Sequence, residues 1–583
     1  MDQPGSHAGR ETLVEAVRHH DLDATVLTDA LEATFRRWAR WWSVAAVAVF
    51  GFVAFRYGAP GEHDYVPWQS TASVIALALA VLGLAIAFRH EAIGGSVALV
   101  AGVAVGSLAA VEYHPLLALG AAVVFVVPAV LHLLAWHRTQ TLRAIVVLGV
   151  VILIVMTAGG ALAWGFYDHA LGPTHPDSAA PPLSTSAVEW LWSGGVTDAS
   201  AVVVASVPDA ADVALWVEPA DRGSGELAVP ADMSGGVWRF ELEDLEPATT
   251  YRYTVVADGV RVDDRPGSFT TFAETPRTFT VAVGSCSRLG SNGAVYDAIG
   301  TSAPDLYLVT GDFYYGEIIA NDIDEFAAAF ETTLTQPGQA ALHAGVPVAY
   351  IWDDHDYGPN DAGADSPSRE AALAAFRRFV PHYPLALDGA EAPVAQAFTV
   401  GRVRFVLTDL RSAKVQGDSP TMMGDRQLDW FLTELRAAAE ADQLVVWVST
   451  VPWIAAASPG ADNWGGFAAE RQIIAEHIAG TGVELLMLAG DAHMLAIDDG
   501  TNSGYAGPGS EFVVMHAAAL DRPGSSKGGP YSEGAFPAGG QYGLVTFTDA
   551  GDGEVTVTLR GLRWDGSEVV ELQHTYDLGT DHG

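Results

Sequence analysis

The sequence predicts a chain in three parts: an all-α transmembrane region of five helices, a β-sandwich, and an α/β domain of layered sheets. Three observations predict it. Long apolar runs crowd the first 170 residues. Short alternating strands separated by Gly, Pro and Asp fill 187–275. Beyond 276, apolar strand-like runs alternate with helical patterns. A length of 583 residues exceeds one domain. Half the residues are hydrophobic, yet the formal net charge is −40. The two facts fit only if apolar and acidic residues are segregated along the chain, as they are. So acidic a chain repels phosphate backbones, which argues against a nucleic-acid partner. Basic residues are nearly all arginine, with only Lys414 and Lys527. The single cysteine, Cys286, excludes an intrachain disulfide.

The five apolar segments lie at 41–56, 70–88, 93–112, 115–136 and 143–166. Each approaches the ~20 residues that a helix needs to cross a bilayer. They lack the polar face of a soluble core helix. Arg36, Arg37 and Arg40 precede the first, Arg89 follows the second, and Arg138 and Arg143 follow the fourth. The alternate connections hold neither Lys nor Arg. The positive-inside rule then makes residues 1–40 cytoplasmic, and an odd number of crossings puts the chain after 168 outside. Trp38, Trp41, Trp42 and Trp164 suit an interfacial aromatic belt. About forty polar residues before the first segment argue against a cleaved signal peptide. No segment carries a charge in its middle, so the region 41–168 reads as an anchor in the cell membrane and not as a transport path.

Residues 169–186 form a linker; within it, the Pro- and Ser-rich GPTHPDSAAPPLSTS (172–186) reads as a spacer. In the sandwich that follows, LEPATTY (245–251) resembles the turn into a late strand of fibronectin type III domains. The resemblance implies that the Tyr251 hydroxyl bonds back across the corner. No polar cluster here argues for a site, and the domain reads as a support.

In the α/β part (276–583), five apolar runs end in residues able to hold metal. TFTVAVG leads to Ser285-Cys286, DLYLVTG to Asp312, and PVAYIW to Asp353-Asp354-His355. VRFVLT leads to Asp409-Leu410-Arg411, and VELLMLAG to Asp491-Ala492-His493. Helical patterns at 368–380, 424–441 and 468–478 separate them. A lone acid after one strand means nothing. Neighbouring strands would bring all five ends to one edge, where open α/β sheets build their sites. Buried carboxylates in such number need cations. The C-terminal runs GLVTFTD, EVTVTLRGL and VVELQHTYDL read as a closing antiparallel sheet.

The set GSC, GDFYYGE, WDDHD, DLR and GDAH resembles the PhoD-like branch of the metallophosphoesterases, the alkaline phosphatase D family, from about Ala187 to near the C-terminus. The resemblance implies a metallophosphoesterase-like layered sheet. It also implies Fe3+ held by Cys286, Asp312 and Tyr315, beside one or two Ca2+. A thiolate and a phenolate favour iron over hard cations, while carboxylates and carbonyls suit calcium. Asp312 matches the bridging carboxylate. Asp354, Asp491 and His493 match further ligands, and Asn360 joins the calcium shell. His355 matches the residue that protonates the leaving group or holds a phosphate oxygen. Arg411 and Arg288 would neutralise phosphate oxygens. Trp464 and Arg471 match a segment that lines the pocket. The family places Glu directly after the tyrosine, whereas here Gly316 separates Tyr315 from Glu317. The function implied is a membrane-anchored extracellular phosphatase or phosphodiesterase with a phosphoester substrate, such as a cell-surface polymer or lipid. The rival from another class is a membrane sensor or assembly protein that binds a phosphorylated ligand without turnover.

Overall fold

The structure, a computed structural model, describes residues 33–48, 67–109, 115–137, 150, 176–273, 275–417 and 419–579. The chain divides into two compact units, 1–166 and 167–583.

The described part of the first unit is helical: 33–48, Pro67–Ala87, Glu91–Ala109 and Pro115–His137. Small residues set its packing. A Cβ on Gly83 would lie 2.5 Å from the Ala98 amide nitrogen, and one on Gly94 would lie 2.1 Å from that of Ala87. The two helices therefore cross backbone against backbone. Arg36 pairs with Glu91 at the start of the third helix, with Nη2 3.1 Å from Oε2. Among the described residues two windows are long and apolar enough to span a membrane, Glu91–Leu108 and Gly120–His137. Of the five expected spans, these two pass that test among the described residues. The helix Pro67–Ala87 contributes a shorter apolar stretch, Ile75–Ala87. The helix 33–48 carries three arginines in its first half. The expected segment 143–166 and Trp164 lie outside the described residues, apart from residue 150.

The second unit is built on two large sheets. In the first, the parallel strands Phe279–Gly284, Leu306–Thr310 and Val348–Ile351 lie side by side. Antiparallel strands Gln541–Asp549, Glu554–Arg563 and Glu568–Asp577 extend this sheet from Phe279–Gly284, as the C-terminal alternation predicts. In the second sheet, Val403–Leu407, Leu444–Ser449, Leu485–Ala489 and Val513–Ala517 run parallel. The central strands are buried along their whole length, which explains their unbroken Val, Leu and Ile runs. Helices Arg369–Phe379, Gly424–Glu440 and Ala468–Thr481 occupy the predicted helical segments. Phe279, Phe405 and Phe547 join the two sheets across the core.

The strands of 187–275 form two layers. One holds Val213–Pro219 and Thr250–Ala257 with Glu226–Ala228, Val260–Arg261 and Gly267–Thr270. The other holds Trp190–Gly194, Ala201–Ser206, Val237–Leu242 and Asp232–Ser234. This second layer does not stop at the expected boundary near 275. Trp190–Gly194 pairs with Val348–Ile351 and continues the large sheet to ten strands. Side chains weld the junction: the Trp192 indole donates to the Phe379 carbonyl at 2.9 Å, and the Tyr383 hydroxyl donates to the Val196 carbonyl at 2.8 Å. At the LEPATTY corner the Glu246 amide donates to the Tyr251 hydroxyl at 2.8 Å.

Candidate metal centre

Strands ending at Gly284, Thr310, Ile351, Leu407 and Ala489 are followed two residues later by Cys286, Asp312, Asp353, Asp409 and Asp491. Three of these sit in the left-handed backbone region: Cys286 at φ 62°, Asp312 at 52° and Asp491 at 58°. Non-glycine residues hold such conformations at a cost of ~1–3 kcal/mol each, and they cluster at functional sites. Two glycines allow close backbone approach there, Gly490 between the two sheets and Gly311 between neighbouring strands of the first. A Cβ on Gly490 would lie 2.2 Å from the Thr310 carbonyl oxygen, and one on Gly311 would lie 2.5 Å from the Asp353 Cβ. These contacts account for the glycines of GDFYYGE and GDAH.

The strand ends converge. Asp312, Asp354 and His355 offer ligand atoms within 4.8 Å of one another. So do Asp312, Asp353 and Asp491, and likewise Asp354, Asp361 and Asp462. Asp312 belongs to two of these groups, as a bridging carboxylate requires. The Cys286 thiol stands 3.5 Å from Asp312 Oδ2, and Tyr315 packs against Cys286. The Tyr315 hydroxyl lies 2.8 Å from His493 Nε2. His493 Nδ1 donates to the Pro523 carbonyl at 2.7 Å, which leaves Nε2 as the acceptor or ligand nitrogen.

The electrostatics are those of a site that fits cations. Burial, then neighbouring carboxylates, holds Asp312 well above the usual carboxylate range. Burial, only partly offset by Lys527, pushes Asp491 up to about 8. Burial and Asp312 raise the Cys286 thiol, and the same two causes raise the Tyr315 phenol. Burial, then Arg522 and Lys527, lowers His493 and keeps it neutral. Burial would also lower His355, but Asp354, Asp312 and Glu317 outweigh it and push it up to about 10. Burial opposes ionised Asp354 too, yet His355 and Arg411 bring it down to about 2. Buried oxygens of Asp353 (Oδ2), Asp354 (Oδ1) and Asp491 (Oδ2) have no hydrogen-bond partner. Such atoms are costly unless something positive meets them. The thiol, phenol, imidazole and carboxylate donors therefore fit bound metal ions.

Other expected residues take different places. Arg411 is fully buried among carboxylates, and its Nη2 has no hydrogen-bond partner. Its Nε pairs with Asp353, its Nη1 lies 2.7 Å from Asp462 Oδ2, and its Nη2 lies 3.7 Å from Asp354 Oδ1. Arg288 is exposed and pairs with Asp521 at 3.2 Å. Asn360 is exposed and reaches the site through its backbone amide, 3.1 Å from Glu317 Oε2. Despite the intervening Gly316, Glu317 meets the site by pairing with His355 Nδ1. Trp464 and Arg471 are buried and held by the core. The Trp464 indole donates to Ser449 Oγ at 3.1 Å, and Arg471 donates to the Trp453 and Ala455 carbonyls. Asp409 braces its own loop, accepting from the Trp352 indole at 2.8 Å and from Ser412.

Sequence reasoning missed the loop 521–527. Pro523 and Ser525 hold His493, Asp521 holds Arg288, the Arg522 guanidinium lies 4.1 Å over the Tyr315 ring, and Lys527 Nζ lies 2.8 Å from Asp491 Oδ1. It also missed Lys414, Asp361 and Asp462. The available signal was that both lysines of the chain fall in these two stretches.

A comparison with curated protein sequences found no match. The chain is similar to a solved structure of PhoD, at 16% identity and TM-score 0.54, over 68% of this chain and 92% of that one. This likeness establishes the fold. A dimetal phosphatase from Danio rerio aligns at 15% identity and TM-score 0.32, over 52% of this chain and 99% of that one; so low a score carries no argument. A family model described as PhoD-like phosphatase matches residues 281–528, which contain every strand-end ligand named above. Residues 281–528 thus match a PhoD-like phosphatase family model and lie on layered sheets of the PhoD fold.

Proposed function

We propose that the chain is a metal-dependent phosphoesterase. One observation carries this reading: partnerless buried oxygens of Asp353, Asp354 and Asp491 gather around Asp312, directly beside His355. Cations bound there would supply Lewis-acid activation of water and polarisation of a phosphoryl oxygen. Cys286, Asp312, Tyr315 and His493 would hold the softer ion, read as Fe3+. Asp354 and Asp491, with Asn360 at the rim, would hold Ca2+.

The chain's own residues do the rest. Glu317 orients the His355 ring through Nδ1, which leaves Nε2 to carry a proton to the leaving oxygen. Tyr315 stacks on His355, with centroids 3.8 Å apart, and fixes the plane of that ring. Arg411 holds Asp353 and Asp462 in position. The helical unit would tether the domain to a membrane, its arginine-bearing turns on the cytoplasmic side and the phosphatase domain outside. That placement favours a surface phosphoester as substrate.

The test is hydrolysis of p-nitrophenyl phosphate and bis-p-nitrophenyl phosphate by the full-length chain supplied with iron and calcium. Turnover that Asp312→Asn abolishes is expected. No turnover by the metal-loaded chain would overturn the catalytic reading and leave binding of a phosphorylated ligand.

A further inference from the structure

We propose that the ammonium group of Lys414 is the resident cation of the Asp354–Asp361–Asp462 cluster, so that metal ions enter only the two clusters that contain Asp312. The location of those metals rests on the phosphoesterase reading above.

The first support is compositional. The chain meets almost every need for positive charge with arginine, and its two lysines both lie at this centre. Lysine differs from arginine in offering a compact point charge with no planar fork. That is the shape a cavity sized for a metal ion accepts.

The second support is coordination. The Lys414 side chain is 2% exposed. Its Nζ meets Asp462 Oδ1 and, at 3.0 Å, the backbone carbonyl of Asp361. A carboxylate and a backbone carbonyl are donors that hard cations choose. Arg411 Nη1 takes the other Asp462 oxygen at 2.7 Å. Both oxygens of Asp462 thus already face a fixed positive charge.

The third support is the contrast with the Asp312 clusters. Asp353 and Asp491, which belong to an Asp312 cluster alone, each keep one buried oxygen without a hydrogen-bond partner, whereas neither oxygen of Asp462 is left so; the corresponding oxygen of Asp354, which both sides share, stands 3.7 Å from Arg411 Nη2. The demand for cations is therefore unmet on the Asp312 side and met on the Asp462 side. A divalent ion placed against Asp462 would stand beside two permanent positive charges.

The experiment counts metal. The full-length chain and its Lys414→Met variant are equilibrated with iron and calcium, desalted, and analysed for each element per chain. We expect one more calcium in Lys414→Met, with iron unchanged. Equal calcium in a variant that still shows a cooperative melting transition overturns the proposal. If Lys414→Met does not fold, Asp361→Asn in the parent decides. It leaves the Asp361 carbonyl in place, so an unchanged calcium count supports the proposal and the loss of one calcium overturns it. The count is informative whether or not phosphoesters are cleaved, so failure here is distinct from failure of the enzymatic reading.

Discussion

Arg411 offers the sharpest test, because the sequence suggests a phosphate-binding arginine and the structure makes it a brace. The perturbation is Arg411→Lys, which keeps the charge and removes the fork. The guanidinium is 0% exposed and spans Asp353 through Nε and Asp462 through Nη1. One ammonium meets only one of them. Breaking a buried ion pair costs ~3–5 kcal/mol. The lower end, about 3 kcal/mol, applies here because Thr450 still donates to Asp353 at 2.7 Å and Lys414 still holds Asp462. Unfolding entropy near ~2.1 cal/mol/K per residue gives about 0.8 kcal/mol/K for a unit of roughly 400 residues. The expected fall in melting temperature is therefore about 4 °C. The assay is thermal denaturation of the full-length variant, paired with inhibition by inorganic phosphate. A brace loses stability and leaves phosphate affinity unchanged. A variant that melts with its parent but binds phosphate markedly less well would refute the reasoning.

Three further outcomes follow from the same geometry. His355→Gln should lower kcat by ~10²–10⁴ on esters of poor leaving groups and much less on p-nitrophenyl esters, whose departing oxygen needs no proton; equal losses on both would remove His355 from that role. Tyr315→Phe should erase any visible charge-transfer band of the iron-loaded chain, and a band of undiminished strength in the variant would reassign the phenolate. Stability of the metal-free chain should fall as pH rises from about 6.5 to about 8. Asp491 sits at about 8, Asp361 and Asp356 sit at about 7, and Asp312 is raised, all against an unfolded value near ~3.9. In that window the folded state thus binds more protons than the unfolded state, and the slope is negative. Asp354, at about 2, the buried His343, at about 3, His382 and His516, at about 4, and the lowered His493 act in the opposite sense only below it. Melting temperatures at about pH 6.5 and 8, with chelator and then with calcium and iron, check this; a chelated protein that melts higher at pH 8 sinks it.

The strand-end ligands were legible because each polar residue follows an all-apolar run that can only be a buried strand. Cys286, Asp312, Asp354 and Asp491 come from such runs, and the structure brings them together. The loop 521–527 was not legible. DRPGSSK has no periodicity, and its contacts with His493, Tyr315 and Asp491 join residues separated by up to 207 positions (Arg522 to Tyr315, 522 − 315). The placement of Arg411 was not legible for a related reason. A sequence shows that an arginine follows a strand, not that its fork closes on Asp353 and Asp462. Trp464 and Arg471 raise the same difficulty, since aromatic cores and aromatic pockets share a composition. In the helical unit, apolar composition alone suggested five spans. Among the described residues two of those stretches are long and apolar enough to span, and that of the second helix runs only from Ile75 to Ala87.

The continuity of the large sheet through Trp190–Gly194 has a practical consequence. Trimming the chain to begin at 276 would strip the neighbour from Val348–Ile351, the strand that delivers Asp353, Asp354 and His355. Its bare backbone amides and carbonyls would then form an open rim ready to recruit other chains. The segment first read as a passive support is a lateral seal for that strand, and any excised fragment must keep it.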